Sequence, residues 1–319
     1  MKNTIPWSPE VEALFEHDLT TEFNTDDYHI DAQVIADSIN PETGKRITTL
    51  AIKIPRIILA EHNTHRSLSR NFSSSRAIPA KKLRKEAWSH PFVPVYWGAN
   101  KSGMSADQQL TGFKLSMAKF GWKLAGKFAV MFHKLMECVG VHKQTCNRII
   151  EPWMSVVGTV TSTEWDNFLR LRYDHNAQPE IIILAKKIHD AIKNSTPVVP
   201  VDGVHLPFID DEERKSFTID QLIKISVARC CRTSYANCLG KKSQPEEDIK
   251  LYDRLLGNGH FSPFEHIAFV PKGLGKAGRP PKDFQTDMQR NFRGWYQLRA
   301  FIQPESNAKY LSQMYNINL

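Results

Sequence analysis

The feature that most constrains the fold is a long run of apolar side chains at helical spacing. Ser105, a favourable N-cap residue, precedes the run. The apolar positions then recur every three or four residues, which is the period of one helix face; they are Leu110, Phe113, Met117, Phe120, Leu124, Phe128, Met131 and Leu135. The spacing predicts one helix from Ser105 to about Val139, and the size of the side chains predicts that this face lies in the core.

Shorter patterns predict a chain that mixes strands and helices. Strands are predicted over residues 31–39, 47–54, 153–161 and 264–270. Helices are predicted over residues 141–150, 163–173, 178–194, 217–229 and 245–257, and the Pro-rich residues 195–217 are predicted as loop. The expected fold class is α+β, with a central mixed or antiparallel sheet and long helices. Residues 1–30 are predicted as an N-terminal arm before a single domain over residues 31–319.

Composition limits the partners and the compartment. The 319 residues carry 42 basic and 34 acidic side chains, a net charge of +8, which indicates an anionic partner, either a polymer or a small phosphate compound. No apolar run approaches the roughly 20 residues needed to span a bilayer, and residues 1–10 lack the apolar core of a secretory signal. Five cysteines without a CxxC pair are typical of reduced thiols in a cytoplasmic protein.

The strongest local signal is the polar segment His65–Arg76. Its twelve residues contain one histidine, three arginines and five serines. Hydroxyl and backbone N–H groups beside arginine bind phosphate well. Leu68 and Phe72 tie the segment to a core, which argues against a solvated loop. The segment therefore predicts an anion site.

Two other clusters have plain explanations when each is taken alone. Residues 167–180 include Asn167, Arg172, Asp174, Gln178 and Glu180, a set that a salt-bridged surface also explains. Residues 259–266 read Gly-His-Phe-Ser-Pro-Phe-Glu-His, and a helix-to-strand turn explains them as well.

Two apparent motifs are rejected. Gly273–Gly278 matches GxGxxG, but Pro280 and Pro281 follow at once and prevent the helix that a dinucleotide site requires. The histidines and cysteines lack the paired spacing of a structural zinc site, so no metal is expected.

Taken together, the clusters resemble the flavin-dependent thymidylate synthases, the ThyX family. Thr64-His65-Arg66 followed by Ser74 resembles the family signature, Arg-His-Arg with a serine eight residues on. Residues 167–181 resemble its arginine helix, and residues 228–235 and 259–266 resemble its Ala-Arg-x-Ser and Pro-Phe-Glu-His segments. In the family the Pro-Phe-Glu-His element comes first, whereas here it comes last. The resemblance thus implies a ThyX-like fold with permuted motif order, with the signature and arginine helix in 31–200 and the other elements in 201–319.

The resemblance also assigns residues. It implies a flavin site formed by His65, Arg66, Asn71, Asn167, Ser234, His260, Ser262 and Glu265. It implies a nucleotide site formed by Glu61, Ser74, Arg76, Arg148, Arg172 and Gln178. Arg172 and Ser74 are the catalytic candidates, with Arg172 polarising the pyrimidine ring.

Several positions depart from the family pattern. Thr64 replaces the first arginine of the signature, and Glu61 stands where the family has glutamine. Phe72 replaces an acidic residue, Asn176 replaces a histidine, and Thr161 and Thr163 replace polar or basic flavin contacts. We expect these changes to alter the pyrimidine pocket most.

The activity implied is methylation of dUMP at C5 to dTMP by a homotetramer with shared sites. FAD is the implied cofactor, and NADPH and methylenetetrahydrofolate are the implied cosubstrates. One alternative is hydroxymethyl transfer to dUMP or dCMP, as in a bacteriophage with modified bases, which would place the protein in the host cytoplasm. Another is a basic nucleic-acid-binding protein, which the charge and the loop from Lys272 to Lys282 suggest.

Overall fold

The computed structural model describes residues 5–23, 25, 29–103, 105–106, 108–233, 243–271 and 286–302. Its helices are α1 Pro9–Ala13, α2 Leu59–His62, α3 Ala80–Ser89, α4 Gly112–Cys138, α5 Lys143–Cys146, α6 Asp166–Arg172, α7 Pro179–Lys193, α8 Asp211–Ser216, α9 Ile219–Arg232, α10 Pro245–Gly257 and α11 Leu298–Ile302. Its strands are β1 Asp31–Ile39, β2 Arg46–Pro55, β3 Ser69–Phe72, β4 Ser155–Ser162, β5 Val204–His205, β6 Ala268–Phe269 and β7 Tyr296–Gln297.

A four-stranded antiparallel sheet of order β1-β2-β4-β3 forms the centre of the fold. β2 is buried along almost its whole length, as its run of β-branched and aliphatic residues predicts. A second antiparallel sheet of three short strands has the order β5-β6-β7. The prediction of an α+β chain with an antiparallel sheet and long helices is confirmed. The ThyX-like fold and the permutation stay predictions.

Two apolar clusters hold these layers together. α7 buries a row of aliphatic side chains from Ile181 to Ile192 against the four-stranded sheet. Trp7 and Val11, within the predicted arm, pack into the same cluster. The other cluster joins α9 and α10 to the three-stranded sheet through side chains such as Leu222, Tyr252, Phe264 and Phe301.

α4 departs from the prediction in its start and in the position of its apolar face. The helix begins at Gly112 and not at Ser105, because residues 97–99 pair with residues 108–110 just before it, with Leu110 N donating to Trp97 O at 2.8 Å. Only small side chains and His133 on its inner face are buried. The large apolar side chains predicted as core point to solvent, with exposed fractions of 39% at Leu124 to 78% at Phe113. The prediction of a core face was therefore wrong.

The bounds of other helices, strands and loops also differ from those predicted. Residues 195–217 contain β5 and α8, and α8 is stabilised by a reciprocal capping box between Asp210 and Glu213. Residues 262–266 form a 3-10 helix, so the predicted strand over 264–270 shrinks to β6. Within the described ranges no helix is long and apolar enough to cross a membrane. Ser234 and the whole Lys272–Lys282 loop, which contains Gly273–Gly278, lie outside the described residues.

Candidate functional site

The predicted anion segment occupies the turn after α2, the edge strand β3 and the loop that follows β3. β3 pairs with β4 from Ser69 to Phe72. Ser262, from the distant Pro-Phe-Glu-His element, donates a hydrogen bond to Arg70 O at 3.1 Å. Asn71 Nδ2 donates to Cys230 O in α9 at 2.8 Å. The fold thus brings three of the four motifs onto β3, although about 190 residues separate two of them along the chain.

The fourth motif contributes Arg172, at the end of α6. Its Nε donates to His65 Nε2 at 2.7 Å and its Nη2 to Thr64 Oγ1 at 3.2 Å. Its Nη1 forms an ion pair with Glu61. The side chain is mostly buried, at 16% exposure. Arg172 is therefore held by Glu61 of α2 and by Thr64 and His65 of the turn that follows α2.

His65 is neutral in this arrangement. Its Nε2 accepts from Arg172, so the ring proton sits on Nδ1. Burial and the Arg172 guanidinium lower the pKa of His65 to about 4, against the opposing effect of Asn167. A neutral acceptor orients Arg172 without cancelling its charge.

One cavity, which we call the arginine groove, has a volume of about 660 Å³. Its lining includes four arginines and one carboxylate; the residues are Arg66, Leu68, Arg70, Ser262, Glu265, Arg290, Asn291, Gln297 and Arg299. Glu265 forms an ion pair with Arg299. Burial lowers the pKa of the Arg70 guanidinium, against the opposing effect of Glu265. The net positive lining suits an anionic ligand.

A hydrogen-bond network fixes the floor of the arginine groove. Gln297, which is 2% exposed, donates from Nε2 to Ser69 Oγ at 3.0 Å and to Asn291 Oδ1 at 2.9 Å. Asn291 Nδ2 donates to Ser67 O at 3.0 Å. These bonds fix the residues around β7 against the segment that contains Arg66 and Arg70. No sequence motif pointed to Arg290 or Arg299, and Arg70 was identified only as part of the segment His65–Arg76.

A neighbouring cavity, which we call the serine pocket, has a volume of about 680 Å³. Its lining includes the predicted residues Asn71, Ser74, Arg76, His260 and Ser262. Ser262 lines both cavities, so the serine pocket and the arginine groove adjoin. His142 and Gln144, which the sequence analysis missed, also line it.

Arg148 lies beside the loop of the serine pocket. Glu151 accepts hydrogen bonds from Arg148 Nη1 at 2.9 Å and from Ser75 Oγ at 2.6 Å. The Arg148 side chain is half exposed. Asn147 anchors the same loop by donating from Nδ2 to Ser75 O at 2.7 Å and Ile78 O at 3.2 Å, and its Oδ1 contacts Nε2 of His133 in α4 at 2.9 Å.

Two more of the predicted residues line a third cavity, which we call the helix pocket. It has a volume of about 810 Å³ and includes Glu61, Asn176 and Gln178. Gln178 donates from Nε2 to Glu180 Oε2 at 3.0 Å. The cavity shares no lining residue with the other two. The predicted residues that line a cavity thus divide among three, and His65, Arg148, Asn167 and Arg172 line none of the three.

Two of the substituted threonines have structural roles. Thr161 Oγ1 lies 2.7 Å from Thr49 Oγ1 and 2.9 Å from His266 Nδ1. Thr49 Oγ1 also lies 2.8 Å from His205 Nε2, so a buried chain of polar contacts joins the two sheets. Thr163 Oγ1 accepts from Arg293 N at 2.8 Å. Neither hydroxyl lines any of the three cavities.

Comparisons with known proteins identify no family. No protein-family model and no curated protein matches the chain. Among solved structures, the UMP/dUMP methylase PolB from Streptomyces cacaoi bound with 5-Br UMP is 12% identical, with a TM-score of 0.39 over 54% of this chain and 97% of that one. The same enzyme bound with 5-Br dUMP is 13% identical, with a TM-score of 0.35 over 50% of this chain and 77% of that one. Likeness at this level assigns neither fold nor activity.

Proposed function

We propose that the chain is a flavin-dependent enzyme that transfers a one-carbon unit to C5 of a pyrimidine deoxynucleotide, with dUMP as substrate and dTMP as product. The observation that carries the proposal is the meeting of the arginine groove and the serine pocket at Ser262, beside β3. Two adjoining cavities with separate cationic linings suit two phosphate-bearing ligands.

The donors of the arginine groove fit the diphosphate of FAD. Arg66 and Arg70 come from one side and Arg299 from the other, and Ser262 adds a hydroxyl. When bound, the reduced flavin supplies the hydride that completes the methyl group. The residues of the groove would bind and orient the phosphates and take no part in the chemistry itself.

The nucleotide phosphate is assigned to the serine pocket. Ser74 and Arg76 line it, and Arg148 adjoins its loop through Glu151. Fixing the phosphate also fixes the ring, which lowers the entropic cost of reaching the reactive geometry.

Arg172 is assigned the role of stabilising charge on the pyrimidine. Because the helix pocket, which its partner Glu61 lines, shares no lining residue with the serine pocket, the ring site and the phosphate site would come from different copies in the proposed homotetramer. C5 becomes nucleophilic when negative charge builds on the ring oxygens, and a fixed guanidinium stabilises that charge. C5 then forms a bond to the methylene carbon of methylenetetrahydrofolate. Loss of the C5 proton would expel tetrahydrofolate and leave an exocyclic methylene group, which a hydride would reduce to the methyl group. NADPH is the proposed reductant of the flavin, and a homotetramer is the proposed assembly.

No cysteine is assigned as a nucleophile. Cys231 lines the serine pocket, but burial raises the pKa of its thiol and so disfavours the thiolate. Cys230 is fully buried.

A second candidate substrate, dCMP, is favoured by the pair formed by Glu61 and Arg172. A carboxylate only accepts hydrogen bonds, so it suits the exocyclic amino group of cytosine and not the O4 of uracil. The guanidinium would then donate to N3 and O2. On this substrate the product would be a methyl or a hydroxymethyl nucleotide.

The deciding experiment is a visible absorbance titration of the full chain with FAD, then with dUMP or dCMP, followed by product mass after adding folate and NADPH. We expect a bound flavin whose spectrum shifts with one nucleotide. Arg76→Gln should weaken nucleotide binding about tenfold or more and leave FAD binding unchanged. Lys81→Gln is the matched control, because Lys81 is an exposed cation of α3.

The absence of bound flavin at saturating FAD would overturn the proposal. DNA affinity that falls steeply with salt would favour the nucleic-acid-binding alternative instead.

A further inference from the structure

We propose that the outer face of α4 is an interface with a second copy of this chain, packed helix against helix across a two-fold axis. The interface is independent of the proposed reaction. We call this face the α4 stripe; it consists of Phe113, Met117, Phe120, Leu124, Phe128, Met131, Phe132, Leu135 and Val139.

The α4 stripe lies opposite the face by which α4 packs on its own chain. On the inner face, Gly126 allows Trp153 to approach so closely that a Cβ at this position would lie 2.8 Å from the indole. Ala129, Val130 and His133 complete that buried face. At about 100° per residue, the stripe is centred roughly 180° away. Its side chains are therefore 39–78% exposed, and among the described residues only Phe120 and Leu124 share a small cavity with side chains of α3, Ala87 and Trp88.

The exposed area is what a stable dimer needs. Large side chains bury about 150–250 Å² each, so nine that are about half exposed offer roughly 1,000 Å² per copy. Stable interfaces bury about 800 Å² per partner, and the largest apolar patch on an ordinary monomer is only about 300–600 Å². A second copy packed on the α4 stripe would bury all of this exposed apolar area.

The spacing of the α4 stripe also favours another helix as the partner. Phe113, Met117, Phe120 and Leu124 follow intervals of four, three and four residues, and Phe128, Met131 and Leu135 follow intervals of three and four. This alternation is the period at which side chains of two helices interlock. The helix is about 40 Å long by its 27 residues, and a two-fold axis would match its stripe to an identical one.

Charge predicts how salt acts on the interface. α4 contains five lysines, Lys114, Lys119, Lys123, Lys127 and Lys134, and its one acidic residue, Glu137, is paired with Arg84. Pairing two copies brings these lysines together. Added salt screens their repulsion and should strengthen the association, the opposite of its effect on nucleic-acid binding.

The test is the molar mass of the full chain by light scattering and sedimentation over a wide concentration range, with reductant present because Cys138 is exposed. We expect the wild type to have a mass of two or more times 36.5 kDa. The double variant Phe120→Glu, Leu124→Glu should weaken the association about a hundredfold, because it buries unpaired carboxylates.

Val201→Glu is the matched control, since Val201 is 96% exposed and lies outside α4. It should keep the wild-type mass. Circular dichroism and the melting temperature show whether each variant is folded; both substituted α4 side chains are exposed, so folding should persist. Leu135→Glu is a second, single stripe variant that should also lower the mass.

Two results would overturn the proposal: a monomeric wild type, or a wild-type mass in the folded double variant. A monomer that co-sediments with vesicles of phosphatidylserine and phosphatidylcholine would assign the stripe to a membrane surface instead. The experiment measures molar mass and not activity. A result against the interface can therefore be told apart from a result against the proposed reaction.

Discussion

Arg172 donates a hydrogen bond from Nε to Nε2 of His65 at 2.7 Å. The sequence resemblance assigns these two residues to different ligands, His65 to the flavin and Arg172 to the nucleotide. In the fold they form one unit, with Glu61 and Thr64 as its other members. A change at the turn after α2 should therefore affect the binding of both ligands.

Acid should destabilise the fold through its buried histidines. Burial lowers the pKa of His62, His205 and His266 to about 3, and that of His65 to about 4. In the unfolded chain these groups titrate near 6.5. Between these values the unfolded state binds more protons, so the free energy of unfolding should fall as pH falls from about 6.5 toward 4. Urea unfolding at a series of pH values measures the slope.

A variant isolates one of these histidines. His205→Gln keeps a polar partner for Ser38 and Thr49, whose hydroxyls each lie 2.8 Å from a His205 ring nitrogen. The variant should remove the uptake of one proton on unfolding. The slope of the free energy of unfolding against pH should then fall by at most about 1.4 kcal/mol per pH unit. The exposed His17→Gln is the control and should keep the wild-type slope. An unchanged slope in His205→Gln would contradict the assignment.

Glu61→Gln should shift base preference toward uracil. A glutamine amide can donate to O4, which the carboxylate of Glu61 cannot do. One hydrogen bond of this kind corresponds to about tenfold in the ratio of dUMP to dCMP affinity. Calorimetric titration of both nucleotides measures the ratio in the wild type and the variant. A ratio that does not move would show that Glu61 does not face the base.

Thr64→Arg should be tolerated and should tighten FAD binding about tenfold. Thr64 is exposed, so a longer side chain displaces no core atom. The substitution removes the bonds of Oγ1 to Glu61 O and Arg172 Nη2 but adds a cation beside Arg66. Quenching of flavin fluorescence gives the affinity, and Thr64→Met controls for side-chain length. Weaker FAD binding in the arginine variant than in the methionine variant would contradict the proposed flavin position.

Gly158→Ala should destabilise the central sheet by about 1–3 kcal/mol. A Cβ at Gly158 would lie 2.2 Å from Cδ1 of Phe72, its partner across β4 and β3. Chemical denaturation measures the loss. Phe72→Leu should restore part of the stability in the double variant, because the smaller side chain leaves room for the methyl group. Purely additive effects would show that the two residues do not compete for the same space.

Sequence patterns predicted the elements whose periodicity coincides with burial. β2, α7 and α10 lie within a residue or two of their predicted bounds, because each buries apolar side chains at the period of its element. β1 also keeps its predicted bounds, although its two buried side chains, Asp37 and Ser38, are polar. The pattern of α4 located a helix but could not show which of its two apolar faces is covered. That choice depends on contacts such as Gly126 with Trp153, which no local period encodes.

The residues of the candidate site also fall into those that the sequence could predict and those that it could not. The residues of His65–Arg76 stand out because so many donors occur together in one segment. Arg290 and Arg299 reach the arginine groove from the far end of the chain, and only the pairing of β6 with β7 brings them there. Isolated arginines of this kind do not differ in sequence from ordinary surface residues.

The loop that carries Ser74 and Arg76 is held by Asn147, which lies 72 residues from Ser75 and is itself oriented by His133. During folding, the loop can close only after α4 has docked and residues 147–153 have reached it. A chain emerging from the ribosome would thus have β1 and β2 available for pairing long before the loop that carries Ser74 and Arg76 could take shape. The loop thus takes its final conformation late in folding. The helix on which it depends, α4, lines none of the three cavities.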